Sequence, residues 1–139
     1  IPKNTFPYRL VQSPGKKNSL GILKFEFHNN YRVYVHDTPS KNLFKSDIRS
    51  FSHGCMRCEN PIQLAKLMLL HDSLGKKGNK VTPHALDRLL QLKKNHFIPL
   101  LNQIPIFTEY KTVFMLQGQL VFGTDIYNKD DEYISLFKK

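Results

Sequence analysis

The sequence predicts an α+β fold, and three observations carry that expectation. Period-two alternation with β-branched and aromatic residues marks both ends of the chain, and apolar stretches at helical spacing occupy the middle. The resulting order of strands, loop, helices and strands lacks the regular alternation of a doubly wound sheet. At 139 residues the chain is read as a single domain, 1–139, large enough to bury a core without crosslinks.

The opening residues, "IPKNTFPYRLVQSPGKKNS", carry three prolines and a turn signal at "SPGKKN", and predict an irregular lead-in. "LGILKFEF" and "YRVYVH" follow as two short strands, with "HNN" between them as a hairpin turn. From Asp37 to Ser52 the chain is polar and carries Pro39, which predicts a long loop or lid after the strand ending at His36.

Asn60 and Pro61 form a cap and first-turn pair for a nearly all-apolar helix through Leu64, Leu67, Met68 and Leu69, expected to be buried. Gly75 to Lys80 reads as a basic link. Thr82 and Pro83 then start a second helix with Leu86, Leu89 and Leu90 on one face. After Pro99 the period returns to two, and "IFTEYKTVFML" and "QLVFGTDIY" are read as strands joined at Gln117-Gly118.

Lys and Arg number 21 against 11 Asp and Glu, for a formal net charge of +10. That surplus favours a polyanionic or carboxylate-rich partner without choosing among nucleic acid, anionic lipid and acidic peptide. No apolar run approaches the roughly 18 residues of a membrane-spanning helix. The chain starts without a methionine or a signal-peptide core, so its N-terminus is expected to result from processing, truncation or expression design.

Chemistry concentrates in "SFSHGCMRCEN", which holds both cysteines, Cys55 and Cys58. A cysteine attacks as the thiolate, which neighbouring cations and a helix start favour. His53 and Arg57 flank Cys55 at two residues on either side, and a helix follows. A nucleophile also needs a partner for its proton, for which histidine is best suited near neutrality, and His36 is the candidate from outside the segment. Gly54 permits a tight turn, so that nearby amide N–H groups converge on a developing oxyanion.

Other readings remain open on these residues. A CxxC pair is used in redox chemistry, though the βαβ context of that motif is missing. His53, Cys55, Cys58 and His71 count as four zinc ligands, but without the paired spacing of a finger or ribbon. Basic and aromatic residues interleave in "LKFEFHNNYRVYVH", as in nucleic-acid binders, but the charges are scattered and no nucleic-acid motif is present.

The pattern His-x15-Ser-His-Gly-Cys-x-Arg, from His36 to Arg57, resembles the signature of the L,D-transpeptidase catalytic domain, the YkuD type. "FPYRLVQSPGKKNSLG", "VYVHDTPSKNLF" and "TDIYNKD" are similar to segments of its large periplasmic, YcbB-like branch. The resemblance implies a mainly β catalytic core, a mixed sheet or sandwich, with about two helices inserted mid-chain.

It also implies a transpeptidase acting on tetrapeptide stems of peptidoglycan as donor and acceptor, without cofactor, metal or nucleic acid, in the bacterial periplasm or cell envelope. By the same resemblance Cys55 is the nucleophile, His36 the general base, the Asp37 backbone carbonyl the third member of the triad, and His53 an assisting group. Ser52, Gly54 and Arg57 are implied in the substrate and oxyanion region. Two features depart from the family: the strands that normally precede "FPYRL" are missing, and Cys58 stands where relatives carry an apolar residue.

Overall fold

A computed structural model describes residues 7–8, 10–52, 54–75, 77–78, 80–92 and 94–138. Two compact units divide the chain, Ile1–Ile104 and Pro105–Lys139. Helices and small mixed sheets together make the α+β class expected from sequence.

The first unit is built on a three-stranded sheet of β1 (Lys24–Phe25), β2 (Val35–His36) and β3 (Met56–Arg57), in that order. β1 and β2 are antiparallel, with Lys24 opposite His36 and Phe25 opposite Val35. The predicted turn between them is organised by one side chain. Asn29 Oδ1 accepts the N–H groups of Tyr31 and Val33 at 3.0 and 3.1 Å, while its amide donates to the carbonyls of Phe27 and Val33. A short asparagine side chain that satisfies four main-chain groups closes the turn without a ladder of its own.

β3 runs parallel to β2, with Val35 opposite Met56 and His36 opposite Arg57. Parallel strands need a crossover, and residues between His36 and Met56 supply it. The expected loop is ordered in part, with a 3-10 helix over Lys41–Lys45. The strands are shorter than the alternating stretches of sequence, because Asn29 and Asp37 draw main-chain groups into side-chain hydrogen bonds instead of ladder pairs.

Helix α1 (Pro61–Leu74) has proline in its first turn. Helix α2 (Pro83–Gln91) is capped by Thr82, whose hydroxyl accepts the Ala85 N–H at 3.2 Å, as its sequence predicts. The core is formed by Ala65, Leu69 and Leu86, with Leu23, Phe25, Val81, Leu90, Ile98 and Leu100 packed around it. Full burial of α1 is not observed: Leu67, Leu70 and Leu74 are exposed, because within this chain β1, α2 and residues 98–100 cover only one side.

At the C-terminal end of α1, the wholly buried Asp72 accepts the Asn102 N–H at 2.5 Å. The Asn102 amide reaches the His71 ring and carbonyl. This set of bonds ties the chain after α2 back to α1.

The second unit holds a hairpin of β4 (Val113–Leu116) and β5 (Gln119–Phe122), then α3 (Asp130–Phe137). Leu116 pairs with Gln119, leaving the two-residue loop expected at Gln117-Gly118. Both loop residues have positive φ, 50° and 78°, the geometry that matches the natural strand twist. α3 was not foreseen; its first turn carries Asp130, Asp131 and Glu132, favourable at the positive end of the helix dipole. "TDIYNKD" acts as its entry: Asp125 accepts the Asp130 N–H at 2.7 Å and the Tyr110 hydroxyl at 2.5 Å, and Thr112 donates to Asp130 at 2.6 Å.

Candidate active site

Pleating and register bring the chemistry-bearing residues of the first unit to one sheet face. In a parallel pair, opposite residues point the same way and alternate along each strand. His36 therefore shares a face with Arg57, and the residues two before them, Tyr34 and Cys55, share it too. The Met56 N–H donates to the Tyr34 carbonyl at 3.0 Å and the Cys58 N–H to the His36 carbonyl at 2.7 Å, so the pairing extends past both strand ends. Lys24, opposite His36, adds a cation from β1.

His36 is buried. Its Nδ1 lies 2.5 Å from the Asp37 carbonyl oxygen. A carbonyl can only accept, so Nδ1 carries the proton and Nε2 is left as the acceptor nitrogen. The Tyr34 ring meets the imidazole edge-on at 5.6 Å.

The Asp37 carbonyl is aimed by an anchored side chain. Oδ2 accepts the Ile22 N–H at 2.9 Å, and the Lys41 ammonium stands 2.7 Å from Oδ1. Burial pushes the carboxyl pKa up, but the Lys41 ammonium beside it and the N–H groups of Ile22 and Thr38 outweigh it, and the group titrates below the ordinary aspartate range. Oδ1 makes no well-angled hydrogen bond, so Lys41 holds that oxygen as an ion pair more than as a directed donor. Lys41 also donates to the carbonyls of Cys58 at 3.2 Å and Glu59 at 2.6 Å, clamping the segment after His36 to the segment after Cys55.

Gly21 makes room for this anchor. Its φ is +63°, and a Cβ there would lie 2.1 Å from Asp37 Oδ2. The second glycine of consequence is Gly54, at φ +155°, where a Cβ would meet Val33 at 2.7 Å. Gly54 N–H donates to Ser52 Oγ at 3.3 Å, and the Arg57 guanidinium donates to the Phe51 carbonyl at 3.3 Å. Ser52 and Arg57 thus each make a hydrogen bond to main chain of the segment that precedes Cys55. His53 lies outside the described residues.

Cys55 and Cys58 are free thiols, both half-buried. They occupy successive places along an extended segment, Cys55 before β3 and Cys58 after it. Tyr34 and Lys41 escaped the motif-based reading. Tyr34 was legible in principle, since a residue two before His36 on a strand must share its face. Lys24 sits 4.1 Å above the Tyr34 ring. A hollow of about 210 Å³ lined by Lys24, Glu26, Asn29, Arg32 and Tyr34 opens beside it.

The arrangement thus unites a histidine of fixed tautomer, a thiol one strand away and a glycine-bearing loop. The YkuD family, described as the L,D-transpeptidase catalytic domain, matches residues 2–85, the stretch that contains all of them. The chain belongs to the L,D-transpeptidase catalytic-domain family. A protein of Haemophilus influenzae named "Putative L,D-transpeptidase" is 35% identical over 127 residues, which cover 91% of this chain and 24% of that protein. This member of the L,D-transpeptidase family therefore spans about a quarter of the length of that relative. Among the described residues no helix is long and apolar enough to cross a membrane.

Proposed function

We propose that residues 1–139 form the catalytic domain of a cysteine transpeptidase that cross-links peptidoglycan stem peptides in the bacterial cell envelope. The observation that carries this reading is the parallel register of β2 and β3, which sets His36 and Cys55 on one face while the Asp37 carbonyl fixes the His36 tautomer.

In this mechanism His36 Nε2 takes the Cys55 proton, and the thiolate attacks the carbonyl carbon of the third residue of a tetrapeptide stem. Main-chain N–H groups of the loop around Cys55 stabilise the developing oxyanion, with His53 assisting and Ser52 shaping the turn through its bond from the Gly54 N–H. Collapse of the tetrahedral intermediate breaks the peptide bond, His36 gives its proton to the departing amine, and D-alanine leaves with a thioester on Cys55. A side-chain amine of a second stem then attacks the thioester carbonyl and loses a proton to His36. That proton returns to the sulfur as the new amide forms and the thiol is released. No cofactor or metal takes part. Arg57 supports the nucleophile loop, and the net charge of +10 suits a mesh rich in carboxylates.

The test compares the parent protein with Cys55→Ala on disaccharide-tetrapeptide, reading cross-linked dimer and free D-alanine by mass spectrometry. Both products are expected from the parent and neither from the variant. Equal dimer from Cys55→Ala would overturn the proposal.

A further inference from the structure

We propose that Tyr34 is a positioning residue whose hydroxyl donates a hydrogen bond to the Cys55 thiolate, and that Lys24, stacked on its ring, strengthens that donor. The inference rests on Cys55 being the reactive thiol, and it assigns the group that holds this sulfur before substrate arrives.

The geometry comes from the sheet. Tyr34 and Cys55 are neighbours across the extended β2–β3 pair, on the face shared with His36 and Arg57. The Tyr34 ring is steered from two sides, by its edge-on contact with His36 at 5.6 Å and by the Lys24 ammonium 4.1 Å from its centroid. The half-buried ring thus stands on the sheet face that carries Cys55, directly across the strand pair from the thiol. The phenol is perturbed as well: burial pushes its pKa up and the neighbouring Cys55 pushes it further, against a lowering influence from Lys24.

The chemical consequence follows from what each group can do. A thiolate accepts hydrogen bonds, and a tyrosine hydroxyl is a neutral donor across the pH range in which histidine works. Donation stabilises the thiolate relative to the thiol and selects one sulfur orientation. A cation on the ring face draws electron density from the phenol and makes its O–H a better donor. Among the described residues, the charged and titratable groups on the sheet face of Cys55 are Tyr34 and His36 from β2, Lys24 from β1 with Glu26 paired to it, and Arg57 from β3. Among these described residues, only Tyr34 combines a place directly opposite Cys55 with a neutral donor.

The experiment is the pH profile of iodoacetamide alkylation, without peptide substrate, on the parent, Tyr34→Phe and Lys24→Met. Trypsin cuts at Arg57, so Cys55 and Cys58 fall on separate peptides and are scored independently by mass spectrometry. Tyr34→Phe keeps both ring contacts and removes only the hydroxyl. Its Cys55 midpoint is expected to rise by about half a unit to one unit, and that of Lys24→Met by less, while the Cys58 profile stays put.

A Cys55 midpoint unchanged within about 0.2 unit in Tyr34→Phe would overturn the inference, as would a fall, which would make the hydroxyl an acceptor from the thiol. A purely structural role would shift both cysteines together and lower the melting temperature, and that pattern also counts against it. Failure of the transpeptidase reading is seen elsewhere, as dimer made by Cys55→Ala, so the two failures are separable.

Discussion

Lys41→Met probes the clamp that joins the two halves of the candidate site. The substitution keeps most of the side-chain volume and removes an ammonium that bridges Asp37 Oδ1 and the carbonyls of Cys58 and Glu59. Removing one partner of a fully buried ion pair costs about 3–5 kcal/mol. An exposed pair contributes only about 0.2–1 kcal/mol. Here the Asp37 side chain is 9% exposed and that of Lys41 45%, so the expected loss lies between, at about 1.5–2.5 kcal/mol. For a unit of this size that lowers Tm by roughly 7–12 °C.

The pH dependence has a definite sign. The folded-state pKa of Asp37 is lowered, so its contribution is present above the unfolded carboxylate pKa near about 4 and is lost as pH falls through the folded value. In acid the parent also loses the ion pair. The gap in Tm between parent and Lys41→Met should therefore be widest near neutrality and narrow on acidification, leaving the share due to the two carbonyl bonds. Thermal melts followed by circular dichroism from neutral to acid pH measure this. An unchanged neutral Tm, or a gap constant across the series, would refute the reasoning.

Gly21→Ala places a methyl group against the Asp37 carboxylate at a positive φ, and should cost at least about 2 kcal/mol in chemical denaturation while weakening the Asp37 anchor. Gln117→Asn supplies a residue better suited to left-handed φ in the β4–β5 turn, and should stabilise the hairpin by a few tenths of a kcal/mol, roughly, read as slower amide exchange in β4 and β5. Asp72→Ala strips the buried acceptor of the Asn102 N–H, and should cost about 1–3 kcal/mol by urea unfolding. Cys58 is held through main-chain groups, its N–H donating to the His36 carbonyl and its carbonyl accepting from Lys41, so Cys58→Ala should leave the alkylation profile of Cys55 unchanged; a shift of that profile would restore a paired role for the two thiols.

The sequence alone determined the α+β order, the two central helices, the Thr82 cap of the second, the Gln117-Gly118 turn and the family, whereas the side chain of Asn60, expected to cap α1, makes no capping hydrogen bond. Each depends on local spacing: Thr82 caps its own helix, and the His36-to-Cys55 interval is written along the chain. It also fixed which residue types could do thiol chemistry. The tertiary structure decided matters that depend on register and on distant side chains. Full burial of α1 could not be judged from its apolar composition, since covering it requires partners that reach only one side. Strand lengths were set by Asn29 and Asp37 capturing main-chain groups. Tyr34 and Lys41 entered the site because a parallel pairing placed position 34 opposite 55 and let a lysine from the crossover reach residues 58 and 59, and Lys24 entered through the antiparallel pairing that sets it opposite His36. Pairing register is a non-local property, since a one-residue slip would turn every side chain to the other face. The structure thus decided which neighbours surround Cys55, whereas the motif alone named it.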